Sequence, residues 1–316
     1  MSSYPSIVFC AMSESTMPSG EPPDFTLDPH TGLTFVPTVR HDTYPAIDIS
    51  KANLVGKVVL VTGASKGIGK GIAIAFAKAG VSSLVLVARS NMTALETECL
   101  TAQRPGQSLK VLALSGFDTT DPTQVADAAK KVKETFGRLD ILVNNAGLVE
   151  PLHLVADSDP AEWWKVWEVN IRGTYNVTRA FLPLLIECGG DKTIINMSSF
   201  SAHLIVPTCS AYLTSKLAIL RLTELVALEY GSQGVIAYAV HPGSIPTDIT
   251  ASIGEKYQEV VVDTLASATD TLVWLVKERR DWLSGRYVSC QWDVEELLAK
   301  KQEIVAGDKL KVRMMV

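Results

Sequence analysis

Lys57–Thr62 reads KVVLVT, a short apolar run with no polar alternation, closed on either side by Gly56 and Gly63. A strand with one wet face alternates apolar and polar residues, whereas one that stays apolar throughout is covered on both faces. Comparable runs return at Leu84–Ala88, Leu109–Ser115, Leu139–Asn144, Thr193–Met197, Val235–Val240 and Tyr287–Cys290. Between them lie segments of helical spacing: Ile68–Ala79, Thr93–Gln103, Pro122–Phe136 capped by Asp121, Glu162–Glu187, Ala211–Tyr230 and Asp263–Glu278. This alternation predicts an α/β fold with a doubly wound parallel sheet of about seven strands and helices on both faces. Ligands of such a Rossmann-type sheet bind beyond the carboxyl ends of its strands.

Residues 1–52 precede the pattern and carry seven of the fifteen prolines, with turns such as PSGEPP and DPHTG. We read them as an N-terminal extension, loose over 1–24 and packed as an arm over 33–49, ahead of a single domain over 53–316. The net charge of −5 is spread along the chain and leaves no footprint for nucleic acid or an anionic membrane. Cys10, Cys99, Cys188, Cys209 and Cys290 are far apart, which fits free thiols in a reducing compartment and no metal site. No apolar run reaches the ~18 residues of a membrane span, and the N-terminus lacks a basic signal-peptide region. The expectation is a cytoplasmic protein without membrane or nucleic-acid partners.

The first strand ends in Gly63-Ala64-Ser65-Lys66-Gly67-Ile68-Gly69. Glycines at these positions let backbone approach a pyrophosphate, and the following helix turns its free amides toward that anion. The second strand ends in Ala88-Arg89-Ser90, where an NAD enzyme would carry an acid for the ribose hydroxyls. Arg89 can grip a 2′-phosphate bidentately and Lys66 adds a second cation, so the cofactor expected is NADP(H). Asp118, after the third strand, can accept from an adenine amino group or serve as a turn aspartate. Asn144-Asn145-Ala146-Gly147 ends the fourth strand, with small residues leaving room for cofactor and Asn amides able to tie strand ends together. Pro242-Gly243-Ser244-Ile245-Pro246-Thr247, after the sixth, can aim backbone and the Thr247 hydroxyl at a carboxamide.

Tyr212 and Lys216 are one helical turn apart and share a face. An ammonium beside a phenol stabilises the phenolate; lowering its pKa by ~3 units takes ~4 kcal/mol. Asn170 falls inside a long helix, where propensity gives it no place, pointing to local distortion or a polar task.

TGASKGIG, the aspartate at 118, NNAG, Asn170, the Ser-Ser pair with YLTSK, and PGSIPT occur in one order over roughly residues 54–291. Together they resemble the short-chain dehydrogenase/reductase family. The Pro-rich leader is longer than the minimal family needs, and the YPAI segment and LSGRYVSCQWDVEEL resemble filamentous-fungal members in particular. The resemblance implies a catalytic tetrad of Asn170, Ser199, Tyr212 and Lys216, Ser199 being the serine thirteen residues before Tyr212. Tyr212 would exchange a proton with the substrate oxygen, Lys216 would lower its pKa and hold the nicotinamide ribose, Ser199 would bind the oxygen, and Asn170 would order a relay water. Residues 245–265 would include the family's substrate lid, with Gly254 as a hinge and a helix closing the C-terminus. The implied activity is ketone–alcohol interconversion on a small or medium apolar or aromatic compound, in a homodimer or homotetramer. A dehydratase, isomerase or cyclase using the same acid-base pair, or a non-catalytic NADP(H)-binding protein, are the alternatives. His203, Cys209 and Trp292 are candidates for a substrate pocket, with structural roles as the competing reading; Trp163, Trp164, Trp167 and His241 read as packing residues.

Overall fold

The computed structural model describes residues 31–252 and 261–314; the tail expected over 1–24 and the hinge at Gly254 lie outside the described residues. β1 (Val58–Thr62) enters a glycine-rich turn and α1 (Gly67–Lys78), followed by β2 (Ser83–Ala88), α2 (Thr93–Ala102), β3 (Lys110–Ser115) and α3 (Pro122–Phe136). The chain continues with β4 (Ile141–Asn144), α4 (Pro160–Trp167), α5 (Thr174–Glu187), β5 (Thr193–Met197), α6 (Ser210–Tyr230) and β6 (Ile236–His241). It ends with α7 (Asp248–Ser252), α8 (Leu265–Lys277), β7 (Arg286–Ser289), α9 (Val294–Ala299) and α10 (Lys301–Ala306). All neighbours in the seven-stranded sheet are parallel, in the order β3-β2-β1-β4-β5-β6-β7. This is the doubly wound fold that the buried runs implied.

Period-2 alternation distributes β1 between two cores. Val59 and Val61 pack with Phe76 of α1 and Leu272 of α8 on one face. Val58 and Leu60 pack with Val132 of α3 and Phe181 of α5 on the other. Both faces are therefore covered, as an all-parallel sheet requires. α3 starts where Asp121 accepts from the amides of Thr123 and Gln124 and stops at Gly137, whose φ of +69° is the left-handed turn glycine adopts freely.

The helix expected over Glu162–Glu187 is not continuous. Glu168–Gly173 winds as a π-helix between α4 and α5, with Asn170 inside it. The Asn170 side chain reaches across to Leu148 and Ser215, and its carbonyl accepts from the Thr174 hydroxyl at 2.8 Å. Such a bulge inside a helix frequently marks a functional site.

Residues 31–54 run over the domain from the chain after β7, met by Thr38–Tyr44, to α8, the end of α1 and the end of α2, met by Thr43, Leu54 and Ile49. Val36, Ile47, Ala52 and Leu54 are buried in its core. Thr38 donates to Glu296 from its amide (2.9 Å) and hydroxyl (2.7 Å), Arg40 pairs with Asp293, and Val39 forms an antiparallel bridge with Trp292. Trp292 is thereby corrected from a pocket candidate to a core residue: its ring is buried and its indole N–H donates to Gly32 at 3.0 Å. Ile47 is 1% exposed, so Ile47→Ala is expected to cost ~2–5 kcal/mol. A lower urea midpoint with nucleotide affinity preserved in the folded fraction is the expected outcome; an unchanged midpoint would show that the arm adds nothing.

Candidate active site

β1 leads to β2 on one side of the sheet and β4 leads away on the other, which opens a crevice between the carboxyl ends of β1 and β4. Thr62 and Asn145 fasten its floor. The Thr62 hydroxyl accepts from the amides of Asn145 (2.9 Å) and Ala146 (3.0 Å), while Asn145 Nδ2 donates to the carbonyls of Thr62 (2.9 Å) and Gly63 (3.3 Å). One strand further, Asn144 Nδ2 donates to Asn196 Oδ1 at 2.8 Å and to Thr178 at 3.0 Å.

An open cleft of about 450 Å³ runs across these strand ends. Of the expected cofactor residues, Gly63, Ser65, Lys66, Gly67, Ile68, Gly69, Arg89, Asp118, Asn145, Ala146, Gly147, Tyr212, Lys216, Pro242 and Thr247 line it. Gly243 and Ile245 do not. Gly243 turns at φ +102° against Asp263, and Ile245 is buried in the core, so cofactor contact there is limited to its backbone. A Cβ on Gly69 would lie 2.3 Å from the Gly63 carbonyl and 2.5 Å from Asn145 Nδ2, and one on Gly63 would lie 2.9 Å from Ala146 Cα. The loop closes this tightly only because those positions are bare, which presents its backbone and the start of α1 to the cleft; the residues present fit a dinucleotide pyrophosphate.

At the β2 end, the Arg89 guanidinium has no hydrogen-bond or ion-pair partner among the described residues. Lys66 pairs with Asp248 of α7, at the exposed lip of the cleft. Asp118 serves as a turn aspartate, with Oδ1 accepting from the Thr120 amide and hydroxyl at 2.8 Å each, while lining the cleft as well.

Tyr212 and Lys216 lie on the cleft-facing side of α6, with Lys216 Nζ 5.5 Å from the Tyr212 ring centroid. The ammonium donates to the Met197 carbonyl at 2.9 Å and is 6% exposed. Burial pushes its pKa down to about 8. The Ser199 hydroxyl accepts from the Ser201 amide at 3.1 Å and lies near enough to the Tyr212 phenol to favour its ionised form, whereas Ser198 is turned to the Lys216 carbonyl at 3.0 Å. Burial pushes the phenol up to about 12, the nearby Ser199 hydroxyl opposes this, and the neighbouring Cys209 and Glu150 add to the rise. The expected lowering of Tyr212 by Lys216 is therefore corrected: burial of the phenol dominates, and the lysine ammonium donates to the Met197 carbonyl instead. Asn170 Oδ1 and Lys216 Nζ come within 3.2 and 3.5 Å of where a Cβ on Gly147 would stand. Asn170 also accepts from the Leu148 amide and donates to the Leu148 carbonyl and Ser215.

Of the pocket candidates, His203 is half-buried edge-on to Tyr287, with its pKa lowered by burial. Burial pushes the Cys209 thiol up to about 12. His241 is buried and pushed down to about 3, which keeps it neutral. Trp163 stacks on Trp167 and donates its indole N–H to Ser210. Sequence reasoning placed Ile249 in the lid but missed the hydrophobic wall of Leu148, Val149 and Val169, and it missed Glu150, which grips the start of α6. Contacts spanning 61 residues leave no local signal.

The short-chain dehydrogenase family model matches residues 57–258. Short chain dehydrogenase mpl6 of Monascus purpureus is 50% identical over 91% of this chain and 99% of that protein. Short chain dehydrogenase andI of Emericella variicolor is 44% identical over 89% of this chain and 97% of its own. A short-chain dehydrogenase/reductase crystal structure from Mycobacterium marinum superposes with a TM-score of 0.67 at 26% identity, covering 78% of this chain and 97% of that one. The chain belongs to the short-chain dehydrogenase/reductase family of oxidoreductases, whose members use nicotinamide cofactors, and resembles its filamentous-fungal branch.

Gly69→Ala forces either the Gly63 carbonyl or the Asn145 amide to move. Nucleotide affinity is expected to fall more than ~10-fold, equivalent to ~1.4 kcal/mol, as read by quenching of the intrinsic fluorescence. Unaltered affinity would show that the loop does not approach the cofactor.

Proposed function

We propose that this protein is an NADP(H)-dependent oxidoreductase that interconverts a ketone and a secondary alcohol on a small or medium, apolar or aromatic compound. The observation that carries this reading is the pairing of Tyr212 and Lys216 on the wall of the cleft, with Lys216 Nζ 5.5 Å from the tyrosine ring centroid and Ser199 next in the chain to Ser198, which lines the same wall. Arg89 and Lys66, with no acid at the β2 end, support NADP(H) over NAD(H). The pyrophosphate belongs on the Gly63–Gly69 loop, the adenine beside Asp118, and the nicotinamide end between Pro242, Thr247 and Tyr212. Leu148, Val149, Val169 and Ile249 support an apolar substrate.

The bound nicotinamide supplies or accepts the hydride. Ser199 donates to the substrate oxygen and holds it at the Tyr212 hydroxyl. In reduction Tyr212 gives that oxygen its proton, and a phenol pushed up to about 12 remains protonated at neutral pH for this task. Lys216 provides a positive charge at the same oxygen as long as it keeps its proton, and binds the ribose. The approach of Asn170 and Lys216 across Gly147 supports a relay that returns a proton toward Tyr212. Trp164, Tyr175, Leu217, Leu225 and Leu228 leave apolar surface on α4, α5 and α6 exposed, which supports a homodimer or homotetramer. We place the protein in the cytoplasm.

Tyr212→Phe is expected to reduce turnover by ~10²–10⁴-fold while nucleotide affinity is retained; activity close to the parent would overturn the mechanism. Reduction should fall as pH rises through about 8, because Lys216 loses its charge there well before the phenol ionises near 12. A rate profile flat from pH 7 to about 10 would separate Lys216 from catalysis. Arg89→Asp should move the kcat/KM ratio toward NADH by at least ~10-fold, about 1.4 kcal/mol; an unchanged ratio would remove Arg89 from cofactor selection.

A further inference from the structure

α6 begins without a cap of its own. Its N-cap residue is Cys209, whose side chain makes no capping bond, so the amides of the first turn need acceptors from elsewhere. Glu150 provides them from the loop that follows β4. One carboxylate oxygen accepts from the Ala211 amide at 2.7 Å, and both take the Tyr212 amide at 3.1 and 3.0 Å. Glu150 is 6% exposed and Ala211 is fully buried, so water does not compete for these bonds. The arrangement places an anion at the positive end of a 21-residue helix, on the backbone of the residue that carries the phenol.

The same loop is held at its other end by Asn170, which bonds both the amide (2.9 Å) and carbonyl (3.0 Å) of Leu148. A continuous path thus joins the π-turn, Leu148, Glu150 and Tyr212, and Gly147 of this loop borders Lys216 Nζ. Removing the carboxylate leaves the buried Ala211 amide and the half-buried Tyr212 amide without partners.

We propose that Glu150 is a positioning residue for Tyr212, fixing the first turn of α6 so that the phenol stays in register with Ser199 and the cofactor loop. The proposal rests on Tyr212 being the proton donor. The carboxylate also lies close enough to Tyr212 to disfavour the phenolate, which gives the role a signature that packing alone lacks.

Glu150→Gln preserves size and removes the charge; Glu150→Asp keeps the charge and draws it back by one methylene. Active sites of folded protein would be counted by nucleotide titration, and the pH profiles of both directions measured. Glu150→Gln is expected to lower kcat by ~10-fold or more with nucleotide affinity within about twofold, and to move the Tyr212 limb of alcohol oxidation to lower pH. Glu150→Asp should lose turnover but keep the parental limb, and supplies the test on its own if Glu150→Gln does not fold. Parental kcat per active site and an unmoved limb in either variant, against an inactive Tyr212→Phe, would overturn the role of Glu150 alone. An active Tyr212→Phe would instead overturn the catalytic reading beneath it.

Discussion

The divergence of chain direction between β1 and β4 is the constraint on which everything else in this molecule depends. Two adjacent parallel strands whose connections leave in opposite directions cannot be covered at their carboxyl ends, and a crevice results. Holding it open without loose backbone falls to Thr62 and Asn145, whose four bonds satisfy the polar groups of both strand ends. Gly69 follows from the same demand, since Asn145 and the Gly63 carbonyl occupy the volume a side chain would need.

Burial governs the chemistry placed beside that crevice. Lys216 and Tyr212 are each shifted toward their neutral forms, the amine to about 8 and the phenol to about 12. Desolvation therefore favours a tyrosine that keeps its proton and brings the titration of the lysine down toward neutrality. In such a site small geometric changes carry large electrostatic consequences, because little water screens them. Glu150 at the start of α6 and Asn170 at the loop after β4 hold the backbone that carries these groups.

How much was legible in the sequence follows from the range of each interaction. Six of the strands could be read because burial on both faces writes a continuous apolar run, while the half-buried edge strand β3 keeps the apolar run Val111–Leu114. The glycine-rich loop, Asp121 and Gly137 were legible because turns and caps are local. Helix boundaries drifted where long-range bonds intervened: the π-turn at Glu168–Gly173 answers to Leu148 and Ser215, and Asp263, expected inside α8, instead receives the Ser244 amide and His41. Trp292 was misplaced because its partner is the N-terminal arm, 260 residues away. Glu150 was passed over for the same reason. The direction of the Tyr212 shift could not be read from a four-residue spacing, which reports proximity to an ammonium but nothing about the water excluded around both groups.

The most direct test is to follow the isotope. The protein would be incubated with NADPH deuterated at the transferred position and a panel of apolar and aromatic ketones, and the products examined by mass spectrometry. One deuterium on the carbinol carbon of the product alcohol, absent with Tyr212→Phe, is the expected result. Nucleotide binding with no deuterium transferred to any carbonyl, alongside turnover by dehydration or isomerisation, would contradict a hydride-transfer role for this site.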